Sequence, residues 1–326
     1  MAIIGAQLMK NTQDLSLLIV AFKRIDSLRE ILRNSLEAGI SRIYIVVDLA
    51  PTLEGQKQQS LIFEMLEKYK DKFDLFKVYK RDKNVGCAVS VLTGLDWVFA
   101  QEKFVCILED DCIPSLDFFH FVLDSKYLLE TDSQLMLTCG TQFAPLEITG
   151  GLWIKSSYSL TWGWATTRDK WNILRSDFFA ARNKKLRQKG IFSFFKPDSV
   201  YWNSGARRAL EGFVDVWDTV LVRNLQAQQQ LAILPSCSLV KNIGSDSNAT
   251  HTKDSQWTNL PSGQYQATNT KPTFSKEVDY WLRQNFFNIG IRHLLSTRVT
   301  ALLDRFSRSP REPLLKRWVE NQIIDL

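Results

Sequence analysis

Short apolar runs alternate with amphipathic segments through the first third of the chain. The runs are rich in β-branched and aromatic residues, as is typical of strands buried on both faces of a parallel sheet. The segments between them place apolar residues three and four positions apart, which indicates helices packed on that sheet. In chain order the predicted strands are 15–22, 43–47, 73–79 and 104–108. This alternation predicts a Rossmann-like α/β fold with a doubly wound, mostly parallel sheet.

Turn and capping residues mark where the predicted helices begin and end. Ser27 and Glu30 form a capping box for the first helix, and Gly39 ends it. A second helix is predicted over 56–69, and the polar turn 81–86 opens a third.

The fourth predicted strand leads directly into three carboxylates, Glu109, Asp110 and Asp111. Adjacent carboxylates at the end of a buried strand repel one another unless a cation lies beside them. In open α/β sheets, ligands bind beyond the carboxyl ends of the strands, which is where this triplet falls. Mn²⁺ and Mg²⁺ take carboxylate oxygens and complete their coordination with phosphate and water. The pattern predicts a metal-phosphate site, and the alternative is that the acids cap a helix or face solvent.

Other polar residues follow the predicted strands. Asp48 is either a hydrogen-bond acceptor for a ribose or base, or a turn residue before Pro51. Asn84 and Gly86 lie at a predicted helix start, where backbone N–H groups favour an anion. The cations Lys23, Arg24 and Arg81 are candidates for a diphosphate, and the alternative is that they are solvated loop residues. The chain has neither a GxGxxG nor a Walker lysine motif, which disfavours dinucleotide-binding and P-loop proteins.

Composition narrows the class of protein. The 326 residues are 45% hydrophobic and 23% charged, as in ordinary globular proteins, and the net charge of +6 suits anionic partners. Nothing in the sequence resembles a nucleic-acid-binding motif. The five cysteines are odd in number and form no CxxC pair, which is typical of a reducing compartment. Since we recognise neither a signal peptide nor a membrane-spanning run, we expect a cytoplasmic protein.

The order of Asp48, the turn 81–86 and the triplet 109–111 resembles that of GT-A nucleotide-sugar glycosyltransferases. Within that fold the chain is most similar to bacterial enzymes of surface polysaccharide biosynthesis. It also resembles the Golgi-type N-acetylglucosaminyltransferases that carry Glu-Asp-Asp as their DXD-like metal motif. The resemblance covers about residues 15–255 and includes Pro114 with Phe118 and Phe119, the aromatic segment 160–171, the segment 213–218, and the segments 234–235, 242–244 and 249–252.

The resemblance implies roles for the acidic residues. Asp111 is the expected direct metal ligand, while Glu109 and Asp110 are expected to hold metal-bound water, ribose or sugar hydroxyls. An acceptor hydroxyl must lose a proton as it attacks, so a carboxylate base is needed. Asp218 is the first choice and Asp215 the second, and the alternative for the residue that is not the base is a helix N-cap.

Further residues are implied by the same resemblance. His251 is a second metal ligand or a loop residue without a role. Trp162 and Trp164 line the acceptor site or serve as core packing, since tryptophan suits both. The implied nucleotide-sugar-binding residues are Ala21, Phe22, Arg24, Asp48, Arg81, Asn84, Gly86, Glu109 and Asp110.

The expected organisation is a GT-A catalytic domain over 1–285, with a nucleotide-sugar half (1–115) and an acceptor half (116–285). A basic amphipathic helical tail follows over 286–326. The tail packs on the domain or on a second subunit of a homo-oligomer, or it lies on an anionic membrane at the inner face.

The function implied is metal-dependent transfer of a hexosyl or N-acetylhexosaminyl group, with inversion. The donor is a nucleoside-diphosphate sugar, with UDP favoured, and the acceptor is a hydroxyl of a glycan or lipid-linked saccharide. One alternative is a sugar nucleotidyltransferase, although its usual glycine-rich loop does not follow Ile19. The other is a non-catalytic glycan-binding relative of the same fold.

Overall fold

The computed structural model describes residues 12, 15–181, 197–244, 260, 264–265, 270–290, 304 and 310–323. These residues form a mixed α/β fold. The strands are β1 (Ser16–Ala21), β2 (Arg42–Val47), β3 (Leu75–Lys80), β4 (Phe104–Glu109), β5 (Cys112–Pro114), β6 (Leu135–Cys139), β7 (Ile154–Ser156), β8 (Trp164–Thr167), β9 (Leu231–Leu234), β10 (Val240–Asn242) and β11 (Thr273–Phe274). The helices are α1 (Ile25–Glu37), α2 (Leu53–Glu67), α3 (Cys87–Gln101), α4 (Leu116–Thr131), α5 (Leu146–Thr149), α6 (Arg168–Ala181), α7 (Pro197–Leu210), α8 (Asp218–Gln228), α9 (Lys276–Trp281) and α10 (Leu314–Glu320), with a 3₁₀ turn at Lys70–Lys72 and a π-helical segment at Leu282–Phe286.

The central sheet has nine strands in the order β11-β7-β9-β6-β8-β4-β1-β2-β3. Strands β4, β1, β2 and β3 are mutually parallel, and the strand order reverses between β1 and β4. On the other side, β8 runs antiparallel to both β4 and β6. The predicted alternation of strands and helices and the mostly parallel, Rossmann-like sheet are therefore confirmed. In such sheets the point of reversal is where a ligand crevice forms.

The continuous apolar runs reflect strands that are covered on both faces. Leu17 and Ile19 of β1 face a core that is shared with α1, α2 and α4. Leu18 and Val20 face a second core, shared with α3, α6, α8 and α10. Because side chains alternate between the two faces of a strand, a strand buried on both sides needs apolar residues throughout.

The predicted capping box at the start of α1 is wrong. The helix begins at Ile25, and the residue at its N-cap, Arg24, makes no side-chain capping bond. The hydroxyl of Ser27 instead donates to the backbone carbonyl oxygen of Asp110. The tertiary contact with the end of β4 outweighs the local capping bond that the sequence offers.

The last described helix, α10, belongs to the core of this fold. Its residues Leu314, Leu315 and Trp318 are buried in the core on the α3 face of the sheet. Except for Asp304, residues 291–309 of the predicted tail lie outside the described residues. Within the described ranges, no helix has both the length and the apolar character that crossing a bilayer requires.

Candidate functional site

A cavity of about 650 Å³ opens at the carboxyl ends of β1, β2 and β4. Its size is in the usual range for small-molecule sites. Most of the residues predicted for the site line it, from both halves of the chain. They are Ala21, Phe22, Arg24, Asp48, Asn84, Gly86, Glu109, Asp110, Asp111, Trp162, Asp215 and Asp218.

Sheet register explains why residues distant in sequence meet here. Val20 of β1 pairs with Glu109 of β4, and Ala21 pairs with Val47 of β2. Since these strands are parallel, the turns that follow them leave the sheet at the same edge. The residues after each strand are thereby brought to one crevice.

Asp110 fixes the turn between β1 and α1. Its Oδ2 atom accepts backbone N–H groups from Phe22 at 2.7 Å, Lys23 at 3.1 Å and Arg24 at 3.3 Å. Burial raises the pKa of Asp110 to about 6, although these N–H groups act in the opposite direction. The carboxylate therefore shapes the cavity wall through the backbone of the neighbouring turn.

Glu109 lies among other carboxylates. Burial raises its pKa to about 8, and the charges of Asp111, Asp218 and Asp110 add to that shift. The thiol of Cys87 is 3.8 Å from its Oε2 atom. The ionised state of Glu109 is disfavoured by this crowding, and a bound cation would remove the disadvantage.

Asp111 is contacted from the strand pair β5–β10. The Nδ2 atom of Asn242 lies 3.4 Å from Asp111 Oδ1, and the Cys112 thiol lies 3.3 Å from the same oxygen. A Cβ atom added at Gly244 would come within 2.2 Å of Asp111 Oδ2, so a larger residue there would displace the carboxylate. His251, the predicted second metal ligand, lies outside the described residues.

The residues present suit an ion that shares its coordination with a ligand. Within the described ranges, no group of three or more His, Cys, Asp or Glu side chains is arranged to hold a metal by itself. Mg²⁺ in phosphate-transfer sites is commonly held by one or two carboxylates, with water and phosphate oxygens completing the shell. The carboxylates of Asp111 and Glu109 in a cavity of this size fit that kind of ion.

Asp48 connects the end of β2 to the start of α3. Its two carboxylate oxygens accept the backbone N–H groups of Val85 and Gly86, both at 2.9 Å. Burial raises its pKa, while these bonds act to lower it. The side chain of Asn84 donates to the carbonyl oxygen of Leu49 at 2.7 Å. Both side chains thus hold backbone groups of the surrounding turns, and both line the cavity.

Arg81 is turned away from the cavity. It is buried, and its guanidinium donates to the hydroxyl of Thr93 and, at 3.3 Å, to the carbonyl oxygen of Asn321. It is not among the residues that line the cavity. Its contacts join α3 to the end of the described chain.

The two candidate bases differ in their surroundings. Asp215 accepts the backbone N–H of Cys87 at 2.9 Å and forms ion pairs with Arg311 at 3.1 Å and Arg317 at 3.3 Å. Asp218 is the first residue of α8, and its Oδ1 atom accepts the N–H of Thr219 at 2.8 Å. The residue at the N-cap of α8 is Trp217, so neither aspartate occupies that position.

The two tryptophans predicted for the acceptor site, Trp162 and Trp164, lie in different surroundings. Trp162 lines the cavity and packs edge-on against Phe143, with ring centroids 5.0 Å apart. Trp164 is buried in β8, with its ring centroid 5.5 Å from that of Trp217. Only Trp162 of this pair lines the cavity.

Several residues that line the cavity are not recognisable as site residues from the sequence. Neither their residue types nor a short motif around them indicates a binding site. Arg311 was grouped with the basic tail, and its position could not be inferred without knowing that α10 packs on α3. The other residues in this class include Thr52, Gly55, Cys87 and Ser90.

Comparisons with known proteins give only distant structural similarity. No protein-family model and no curated protein matches the sequence. One similar solved structure is a Bacillus anthracis protein assigned as a glucose-1-phosphate thymidylyltransferase, in complex with a sucrose, with 11% identity, a TM-score of 0.34, and coverage of 49% of this chain and 74% of that chain. Another is a UDP-glucose pyrophosphorylase complexed with UDP-glucose, with 8% identity, a TM-score of 0.36, and coverage of 68% and 90%. Their names correspond to the nucleotidyltransferase alternative, not to glycosyl transfer, but similarity this low carries no argument about function.

Proposed function

We propose that this chain is a metal-dependent glycosyltransferase that uses a nucleoside-diphosphate sugar. The observation that supports the proposal best is the meeting of Glu109, Asp111 and Asp218 in one cavity at the point of strand reversal. Transfer from such a donor needs a metal-phosphate site for the leaving group and a carboxylate base for the acceptor hydroxyl. The cavity supplies candidates for both.

In the acidic triplet 109–111, two residues are assigned to the metal and one holds the protein backbone. Asp111, with Glu109 beside it, would hold Mn²⁺ or Mg²⁺ against the diphosphate. When bound, that ion supplies Lewis-acid stabilisation of the charge that develops on the leaving nucleoside diphosphate. Asp110 keeps the turn after β1 in place, and this turn carries Lys23 and Arg24 into the cavity wall.

Asp218 is the base in this proposal. The acceptor oxygen forms a bond to the anomeric carbon while the bond from that carbon to the diphosphate breaks. The acceptor proton passes to the Asp218 carboxylate, which is consistent with inversion by direct displacement. Asp215 is the weaker candidate because two arginines and a backbone N–H already hold its carboxylate.

A sugar nucleotidyltransferase is the second candidate, and one structural feature supports our preference for the first. The turn between β1 and α1 contains only Phe22, Lys23 and Arg24, with no glycine. All three of its backbone N–H groups donate to Asp110. Such a short turn, with its backbone N–H groups already bonded to Asp110, is poorly suited to surrounding a nucleoside triphosphate. We therefore favour glycosyl transfer.

The test measures nucleotide products with Mn²⁺ present. Wild type and Asp111→Ala are incubated with UDP-, GDP-, dTDP- and CMP-sugars, and release of free nucleotide is followed. Slow hydrolysis of one donor that needs both the metal and Asp111 supports a glycosyltransferase and identifies the donor. In parallel, nucleoside triphosphates are supplied with sugar 1-phosphates, and pyrophosphate release would support the nucleotidyltransferase instead.

Nucleotide binding without any turnover would favour the non-catalytic relative. Absence of any nucleotide binding, measured by thermal shift with each free nucleotide, would overturn the proposal altogether. The hydroxyl acceptor, a glycan or lipid-linked saccharide, is then sought with the identified donor.

A further inference from the structure

We infer that Arg311 is a diphosphate-binding residue of the proposed site, delivered to it by the segment that leads into α10. The inference rests on the proposed function, because it assigns a further residue to the same donor. No short motif surrounds Arg311, and it lies about 200 residues beyond the acidic triplet in the chain.

The charge balance of the cavity motivates the assignment. Its wall includes six carboxylates, from Asp48, Glu109, Asp110, Asp111, Asp215 and Asp218. In the described part of the chain, the basic side chains that line it are Lys23, Arg24 and Arg311. A diphosphate entering such an acidic cavity needs every cation that faces it.

The position of Arg311 brings it close to the start of α3. Its Nη1 atom is 3.1 Å from the carboxylate of Asp215, which in turn accepts the backbone N–H of Cys87. The same Nη1 atom would lie 3.1 Å from a Cβ atom built on Gly86. Arg311 therefore lies in the cavity wall beside Gly86, in the turn whose N–H groups donate to Asp48.

Arg311 retains capacity to bind a ligand. Its side chain is 59% exposed, and its hydrogen bond to the described residues uses Nη1, so other N–H groups of the guanidinium can donate to phosphate oxygens. Arg317 differs because it is 12% exposed and also donates to the carbonyl oxygen of Val85 at 3.0 Å. Arg317 anchors α10, whereas Arg311 faces the cavity.

The backbone of this segment is held in place. The N–H of Arg311 donates to the carbonyl oxygen of Gly212 at 3.1 Å. Gly212 has φ of +85°, and a Cβ atom there would come within 2.4 Å of the carbonyl oxygen of Arg311. Asp215 is the positioning residue for the guanidinium. The arginine is therefore pre-oriented and loses little conformational freedom when it binds.

The experiment compares affinities for nucleoside monophosphates and diphosphates on the full chain with Mn²⁺ present. Calorimetric titration with UDP, GDP, dTDP and CDP first identifies the base that wild type binds. For Arg311→Ala we expect the Kd of that diphosphate to rise about 10- to 100-fold, with a much smaller change for the matching monophosphate. Arg311→Lys should give an intermediate value, since it keeps the charge but loses the planar fork.

The matched control is Lys316→Ala, which removes one positive charge from the same segment. Lys316 is exposed and pairs with Glu312 at 2.6 Å, outside the cavity lining. An unchanged diphosphate Kd in Arg311→Ala would overturn the inference while the proposed function stands. Equal weakening of monophosphate and diphosphate would also overturn it, because it indicates a structural role. If wild type binds no nucleoside diphosphate, the proposed function fails and this inference fails with it.

Discussion

The backbone N–H of Phe22 donates a 2.7 Å hydrogen bond to the carboxylate of Asp110, which lies 88 residues later in the chain. Two further N–H groups, from Lys23 and Arg24, donate to the same oxygen. The middle acid of the triplet thus holds the turn that forms one wall of the cavity. These three contacts are with the protein backbone and form without a ligand.

Replacing Asp110 should weaken the fold as well as the site. Asp110→Ala leaves three backbone donors without their acceptor, so we expect the free energy of unfolding to fall by about 1–3 kcal/mol. Urea denaturation followed by circular dichroism measures this loss. Asp74→Ala serves as the control because Asp74 is exposed, and its stability should stay within about 0.5 kcal/mol of wild type. An Asp110→Ala variant as stable as this control would contradict the prediction.

Mn²⁺ should stabilise the protein through the crowded carboxylates. Burial and the charge of Asp111 make ionisation of Glu109 unfavourable in the metal-free protein, and a bound divalent ion offsets that cost. With a nucleoside diphosphate present to complete the coordination, we expect Mn²⁺ to raise the Tm of wild type by a few degrees and EDTA to reverse the rise. Asp111→Ala should lose most of this response, whereas Asp74→Ala should keep it. The same shift in both variants would argue against a metal site at the triplet.

Substitution of the two aspartates near α8, Asp215 and Asp218, should affect different properties of the enzyme. Asp218→Asn removes the proposed base, so we expect the rate of sugar transfer to fall about 10²- to 10⁴-fold with little change in donor KM. Asp215→Asn loosens Arg311 and Arg317, so its main effect should be weaker donor binding and lower stability. Steady-state kinetics with the identified donor, together with thermal unfolding, separate the two outcomes. If Asp215→Asn transfers sugar slowly but binds the donor normally, and Asp218→Asn remains active, then Asp215 is the base and Asp218 is not.

Helix α10 should be required for the stability of the whole fold. Trp318 is fully buried, and its indole N–H donates to Asp96 at 2.9 Å. Asp96 also accepts from the indole of Trp171 and from Arg175. We expect Trp318→Ala to cost about 3–5 kcal/mol in the free energy of unfolding. The adjacent Val319 is 56% exposed, so Val319→Ala is a matched control that should change stability little.

The pH dependence of stability should include a contribution from Glu102. Burial acts to raise the pKa of Glu102, but hydrogen bonds from Arg42 and Tyr44 outweigh it, and the pKa is lowered. A carboxylate whose folded pKa is depressed stabilises the fold above its unfolded pKa of about 4.3, and that contribution is lost as the pH falls through the folded value.

Glu102→Gln should therefore be less stable than wild type by about 1–2 kcal/mol at neutral pH. The difference should shrink as the pH is lowered from about 5 towards 3. Denaturant titrations at several pH values measure it, with the exposed Glu64→Gln as control. A difference that stays constant across this range would show that the charge of Glu102 does not contribute.

The local pattern of apolar residues was sufficient to predict the strands in the first third of the chain. The apolar runs that became β1 to β4 could be located to within a residue or two, since strands buried on both faces require such runs. The position of the acidic triplet at a strand end followed directly from the same pattern. Parallel strands then bring the turns after β1, β2 and β4 to one edge, so the clustering of Asp48 with the triplet could also be predicted.

Only the tertiary structure decided what individual polar groups in the site contact. Ser27 bonds to the backbone of Asp110 instead of capping α1, and Arg81 turns into the protein towards Thr93. The arrival of Arg311 beside Asp215 depends on α10 packing through Trp318 against the α3 side of the sheet. A sequence pattern records which face of an element is apolar, whereas the partner of a polar group depends on distances between segments far apart in the chain.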